Sequence, residues 1–471
     1  MIFTIARKEW VDLTRDGRFR AAAVFISLLA AMGLVAGARH LQTTRAEREE
    51  GRRLTRQQWL EQGEKNPHSA AHYGVWAFKP ESPLAAFDRG LEPYLGVAVY
   101  LEAHKQNLAR YRPAMDSTTT ARFGELTGAG VLQLLIPLLV ILLTFSAFTA
   151  EREGGTLRLL LSTGVRRHQL VLGKALGVGL ALLILLVPLL VLAVGVLLAL
   201  GASASDTLTR IAVLVLGYAL YLGSFIFLGL AVSATVRSSR LSLVVLLGCW
   251  ALNGLLVPRL ASDMASTWAP APSVEGFSRR IAEDYEKGMN GHDPADARRV
   301  ALENEVLARY GVTSKQELPI NFDGLALQAG EEYSNRVHAL HFGELWGTYR
   351  RQEGLHRAFA LAAPLLALRA LSSALAGTDL EAHLHFTREA EAYRQLLVRQ
   401  MNDAVTHRSR TGDWTYKANK ALWQEVSDFQ PVLRPWSHAL QDQGISLALL
   451  AGWLLLTAVL ALRTGARMSA V

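Results

Sequence analysis

The chain has 471 residues, 51% of them hydrophobic and 19% charged, with a mean hydropathy of +0.19. That balance excludes an ordinary soluble protein and points to a membrane protein with sizeable polar parts. The net charge of +8 sits in arginines flanking apolar runs, so no nucleic-acid partner is expected, and the lone Cys249 excludes an intrachain disulfide and cysteine-based metal sites.

In chain order, residues 1–18 alternate Ile2, Ile5, Trp10 and Leu13 with Arg7, Lys8 and Arg15, the pattern of an amphipathic helix on a membrane surface. Residues 19–38 form the first span, an uncleaved signal anchor long enough for a hydrocarbon core of about 30 Å. The polar region 39–125 opens with a charged helical pattern. In it His68 and His72 share a helix face at i,i+4 spacing; no third ligand is evident nearby, and a structural role is expected. The second span is 126–149, with Pro137 inside it. A loop follows at 150–169, containing Glu151-Arg152-Glu153-Gly154-Gly155-Thr156-Leu157-Arg158 and then Arg166-Arg167. Further spans fall at 170–200, 208–234 and 241–257. The largest polar region, 258–442, has helical patterns at Pro294–Tyr310, Gly324–Ala360 and Asp379–His407. Between the last two lies the apolar Leu361–Ala376. It holds Pro364 and Arg369 and is short for a span, so it reads as interfacial or buried. The last span is 443–462, and 463–471 forms a tail with Arg463 and Arg467. The fold class expected is mostly α: a polytopic membrane protein with six transmembrane helices and a large helical extracytoplasmic domain.

The N-terminus, the 150–169 loop, the 235–240 turn and the tail are basic, whereas 201–207 has no Lys or Arg. The positive-inside rule then puts both termini in the cytoplasm and the two long polar regions outside. No glycine-rich phosphate loop precedes a lysine: Gly173-Lys174 has His168 and Ala175 where glycine and a hydroxyl are needed, so this chain binds no ATP that way. No Ser/His/Asp or zinc-protease pattern is present. His338/His341 and His383/His385 read as packing or surface pairs. The spans hold almost no internal ionisable residues, which argues against an ion relay. A transporter lacking both would draw energy from a partner.

Glu-x-Glu-x-Gly-Thr-Leu, an Arg-rich turn and Gly-Lys together resemble the first cytoplasmic loop of the type 2 ABC transporter permeases. Asn66-Pro67-His68-Ser69-Ala70-Ala71-His72-Tyr73-Gly74, Ser82-Pro83-Leu84 and Ala376-Gly377-Thr378-Asp379 are similar to a bacterial branch whose large outer domain has no assigned function. The resemblance implies a permease subunit of an ATP-driven inner-membrane complex, not itself an enzyme. ATP and Mg would sit on a separate ABC ATPase, and this chain would bind no cofactor. The permease would form a homodimer or pair with a paralogous permease, in contact with membrane lipid. In that frame 150–169 is a coupling loop. Glu151, Arg152, Glu153 and Arg158 would contact the ATPase, Gly154-Gly155 would break the second span's helix, Thr156 would cap the coupling helix before Leu157, and Arg166 and Arg167, like Arg7 and Lys8, would meet headgroups. Export of a hydrophobic or amphipathic substrate is the first function implied. Mechanotransmission to a periplasmic partner without transport is the second. A membrane-anchored periplasmic binding module or enzyme is the third.

Overall fold

The computed structural model describes residues 1–116, 126–202 and 204–468. The end of the expected 39–125 region, residue 203 in the 201–207 turn, and the last three residues of the tail lie outside the described residues. Helix α1 (Ile2–Arg15) ends where Asp16 turns extended, and the Asp16 carboxylate accepts from the Arg18 N–H at 2.8 Å to start α2 (Gly17–Leu60). Then come α3 (Pro67–Tyr73), strands β1 (Val75–Phe78) and β2 (Ala98–Leu101), and α4 (Pro113–Asp116). Helices α5 (Gly128–Thr144), α6 (Thr149–Glu153), α7 (Thr156–Ser162), α8 (Arg167–Ala199), α9 (Ala204–Thr235) and α10 (Ser239–Ala251) follow. A π-helical turn over Leu252–Leu256 joins α10 to α11 (Val257–Trp268). The polar C-terminal part holds α12 (Val274–Lys287), α13 (Ala295–Tyr310), α14 (Phe322–Ala358), α15 (Pro364–Ala376), α16 (Leu380–Arg408), α17 (Lys420–Glu425) and α18 (Trp436–Asp442). Helix α19 (Gly444–Arg467) closes the chain.

Among the described residues six helical runs are long and apolar enough to cross a membrane: Gly17–Leu60, Gly128–Glu153, Arg167–Ala199, Asp206–Thr235, Ser239–Trp268 and Gly444–Arg467. The fold is mostly α and polytopic. The long α8 leaves Leu183, Ile184 and Val191 half exposed or more, apolar surface suited to lipid or a partner helix. Against its other face pack α1, α9 and α19, building one apolar core with α5 and α15.

Helix α2 does not stop at the membrane-length stretch. Its 44 residues, about 66 Å at 1.5 Å per residue, run from the bundle into the polar domain. No proline interrupts it, so the charged pattern after residue 44 continues the same helix. The two polar regions, separate in sequence, form one body. Trp59 on α2 and Trp423 on α17 are buried edge to face, and the Trp59 indole N–H donates to the Trp423 carbonyl at 2.9 Å. A second apolar core around this pair joins α3, β1, β2 and α16. The small antiparallel hairpin, with Val75 opposite Leu101 and Phe78 opposite Ala98, adds strand to a region read as helical.

Helix α15 is buried between bundle and domain, with Leu365, Leu368 and Leu371 inaccessible. Its proline sits in the first turn, where no N–H is needed, and Gly377 ends it in the left-handed region. Arg210 of α9, itself buried, donates to the carbonyls of Leu375 at 2.9 Å and Arg434 at 2.8 Å. A span is thereby fixed to α15 and to the segment before α18.

Candidate functional site

The 150–169 segment is two short helices at a hinge. After α5, a turn at 145–148 leads into α6, and Gly154 ends it. Gly155 takes φ +70°, a left-handed conformation costly for other residues, and α7 starts from it. A helix break does fall on the two glycines, between α6 and α7, although the helix of the second span, α5, already ends at Thr144. The expected cap does not form: Gly155 occupies the N-cap without a side-chain bond, while Thr156 is already helical and its hydroxyl donates to the Glu151 carbonyl at 3.2 Å. A threonine with helical backbone cannot reach the next turn's N–H groups as an N-cap does.

The charges of this segment turn inward and sideways. The Lys174 ammonium, 2% exposed on α8, lies 2.9 Å from Glu151 and 2.9 Å from Glu9 of α1. Arg152 donates to the carbonyls of Ala234 at 3.0 Å and Val236 at 2.6 Å, closing the C-terminal end of α9 with a cation. The Glu153 carboxylate accepts from the Ser239 N–H at 2.8 Å and its hydroxyl at 2.9 Å, where α10 begins. The Ser233 hydroxyl accepts from the Phe148 and Thr149 N–H groups at 3.0 and 3.3 Å. Leu157 is buried, whereas Arg158 and Leu159 are exposed. The short α6 is therefore bonded to α8, α9 and α10, and through Lys174 to Glu9 of α1, while the exposed face of the segment lies on α7. Glu9 and Lys174 carried no role in the sequence reading. The signal was a carboxylate in a basic amphipathic helix and a lysine inside an apolar run.

Close approach of α1 to α8 is written in glycine. A Cβ on Gly173 would lie 2.7 Å from Ile5, and one on Gly177 would lie 2.6 Å from the Glu9 side chain and 2.9 Å from the Ala6 carbonyl. This is the small-xxx-small spacing that lets membrane helices touch. Arg7, Lys8, Arg166 and Arg167 are exposed. Lys8 also meets Asp12 at 3.4 Å, and Arg167 donates to the Ala466 carbonyl at the end of α19.

At the junction of bundle and domain lies a cavity of about 890 Å³, with Asp88, Gln133, Glu353, His356, Arg357 and Arg369 in its lining. Burial raises the Asp88 carboxyl above its ordinary range, although the Ser372 hydroxyl donates to it at 2.5 Å. Burial, with the nearby Asp379 charge, pushes Glu353 up to about 7. Beside the cavity, the Asn253 amide donates to the Tyr221 hydroxyl, which donates to the Gln133 carbonyl, both at 3.0 Å. The Leu365 N–H donates to Asn253 at 3.1 Å. This chain of bonds joins α5, α9 and the π-helical turn to α15.

His68 and His72 have a third neighbour. His104, just past β2, brings its Nε2 to 3.2 Å from that of His68, which is also 3.2 Å from that of His72. The hairpin folds a residue 36 positions away onto α3, and the spacing of the first two histidines gave no sign of it.

Residues 104–271 match the ABC-2 family transporter proteins, and residues 275–431 match a domain of unknown function, DUF3526. Over the first of these stretches the chain resembles the ABC-2 transporter permeases. It is also similar to a probable ABC transporter permease protein, NosY, of Pseudomonas aeruginosa, 35% identical over 128 residues. That stretch is 25% of this chain and 43% of the relative, so the chain spans less than half of the relative's length. The ABC-2 match runs from the β2–α4 segment through α11 and contains the whole α6–α7 segment. The DUF3526 match covers α12 to α17, the larger share of the polar domain. The family match and the six membrane-length apolar helices among the described residues support a multi-pass permease of the inner membrane.

Proposed function

We propose that this permease is one half of an ATP-driven complex exporting a hydrophobic or amphipathic substrate. ATP and Mg would be held by a separate ABC ATPase, and the permease would pair with itself or with a paralogous permease. Both termini and the α6–α7 segment face the cytoplasm in this reading, because the short basic loops gather there. The observation that carries the proposal is the bonding of α6 to α8, α9 and α10 through Glu151, Arg152 and Glu153, with α1 joined to the same group through the Lys174–Glu9 pair. An ATPase pressing on the free face of α7 would move these helices together. The motion would reach the junction cavity through α9, whose Tyr221 and Arg210 bond to the elements around α15. In this reading the ion pairs transmit and the exposed residues dock, so Arg158 and Leu159 meet the ATPase while Glu151, Arg152 and Glu153 act behind them.

A second reading has its own observation. The unbroken α2 couples the bundle directly to the polar domain, as a lever that drives a periplasmic partner without transport would require. Co-expression with the ATPase, purification in mild detergent and reconstitution test both. Export predicts ATP-dependent loss of an amphipathic dye from the donor side. Mechanotransmission predicts ATP hydrolysis stimulated by a periplasmic partner with no dye movement. Glu153→Arg and Gly155→Pro should abolish stimulated hydrolysis in either case. If both variants assemble and hydrolyse ATP normally, α6–α7 does not couple.

A further inference from the structure

The polar domain holds a group of side chains that the transport reading does not use. His68 and His72 stand on one face of α3, and His104 follows β2; their nearest ring nitrogens all lie within 4.8 Å of one another. His104 sits at φ +70°, a left-handed conformation uncommon for any residue but glycine. Helix α14 holds it there. Glu331 accepts from the His104 N–H at 2.6 Å, and the Ser334 hydroxyl donates to its carbonyl at 2.6 Å. A strained backbone kept in place on both sides is typical of a residue positioned for a function.

The outer nitrogens decide the tautomers. His104 Nδ1 lies 2.6 Å from the Glu331 carboxylate, which can only accept, so Nδ1 carries the proton. His68 Nδ1 lies 3.0 Å from Asn402 Oδ1, and the Asn402 amide nitrogen donates to Gln328 at 3.2 Å, which turns its oxygen toward His68. Both rings therefore present a bare Nε2 lone pair to each other across 3.2 Å, where no hydrogen bond can form. A cation between them removes that repulsion. Nitrogen ligands at about 2.0–2.1 Å around a tetrahedral zinc ion stand about 3.3 Å apart, close to the two 3.2 Å spacings. Glu331 and Asn402 act as the outer acceptors that orient metal-bound imidazoles, and Glu331 is itself fixed by Arg394 at 3.4 Å. His72 is exposed, which leaves an open side for an ion to arrive and for a fourth ligand.

We propose that His68, His72 and His104 form a three-histidine site for a divalent transition-metal ion of the zinc class, its fourth position open to water or to a small ligand. Imidazole sets of this kind suit zinc and its first-row neighbours and disfavour calcium and magnesium. The site joins α3 and the hairpin to α14 and α16, so its occupancy bears on the domain that moves rather than on the membrane path.

The test uses the full-length chain purified in detergent, stripped with chelator and titrated with CoCl2 and then ZnCl2. One equivalent of Co(II) should bind per chain with the strong visible bands of a four-coordinate site, and one equivalent of Zn(II) should displace it. His72→Gln, at an exposed position, should leave the metal-free melting temperature unchanged and weaken binding at least 100-fold. Asn402→Ala should weaken it by 10- to 100-fold, the usual effect of removing an outer partner. Zn(II) should raise the melting temperature of the parent chain and not that of His72→Gln. Equal affinity in the parent and His72→Gln chains, or no stoichiometric Co(II) binding by a folded parent chain, overturns the proposal.

Discussion

Replacing Lys174 by methionine strikes the point where α1, α8 and α6 meet. The substitution keeps an unbranched side chain, one atom shorter, and removes a charge that is 2% exposed and 2.9 Å from each of two carboxylates. Those partners are themselves sheltered, with side-chain exposures of 11% for Glu9 and 14% for Glu151. Removing one member of a buried ion group strands the others, which costs about 3–5 kcal/mol. Neutralising the whole group should cost far less, because no buried charge is then left uncompensated. The Lys174→Met/Glu9→Gln/Glu151→Gln chain should therefore recover all but about 1 kcal/mol of the loss. Equilibrium unfolding in mixed micelles reads stability, and ATP hydrolysis by the co-purified ATPase reads coupling. The triple variant should be stable and poorly coupled. A cost below about 1 kcal/mol for Lys174→Met alone would show that the group is solvated, and the reasoning about its burial would fall.

Gly177→Leu should push α1 off α8, since its Cβ alone would lie 2.6 Å from the Glu9 side chain. Overpacking of this kind costs about 1–3 kcal/mol, and limited trypsin digestion at Arg7, Lys8 and Arg15 should speed up. Trp423→Ala should cost the polar domain about 3–5 kcal/mol, read by its thermal unfolding, because the ring is fully buried against Trp59. Glu353 holds its proton up to about pH 7 in the folded chain and releases it near 4.5 when unfolded. The folded state thus binds more protons between those values, and stability falls as pH rises through them. At about 1.4 kcal/mol per unit the loss is at most about 3 kcal/mol, and Glu353→Gln should flatten that slope in unfolding measured from pH 5 to 8.

The spans were legible because a bilayer demands long apolar runs, and α13, α14 and α16 because their apolar spacing is helical. The extension of α2 was legible only as an absence: no proline or cap separates the span from the charged helix after it. The hairpin escaped because Val75–Phe78 and Ala98–Leu101 are too short for alternation to stand out. His104 escaped with it, since strand pairing brings it to α3. At the coupling segment, the motif marked where a helix should break but not which way its charges turn. Lys174 and the Ser239 N–H lie on other helices, so only the packed structure shows that Glu151 and Glu153 have partners inside the chain.

The most direct test of the coupling account is cysteine cross-linking. With Cys249 replaced by alanine, single cysteines are placed at Arg158, Leu159 and Leu157 and joined by a short bifunctional reagent to the co-expressed ATPase. Cross-links from 158 and 159 that respond to ATP, with none from the buried 157, are the predicted result. A chain that purifies with its ATPase yet forms no cross-link from 158 or 159 would contradict the placement of the coupling face on α7.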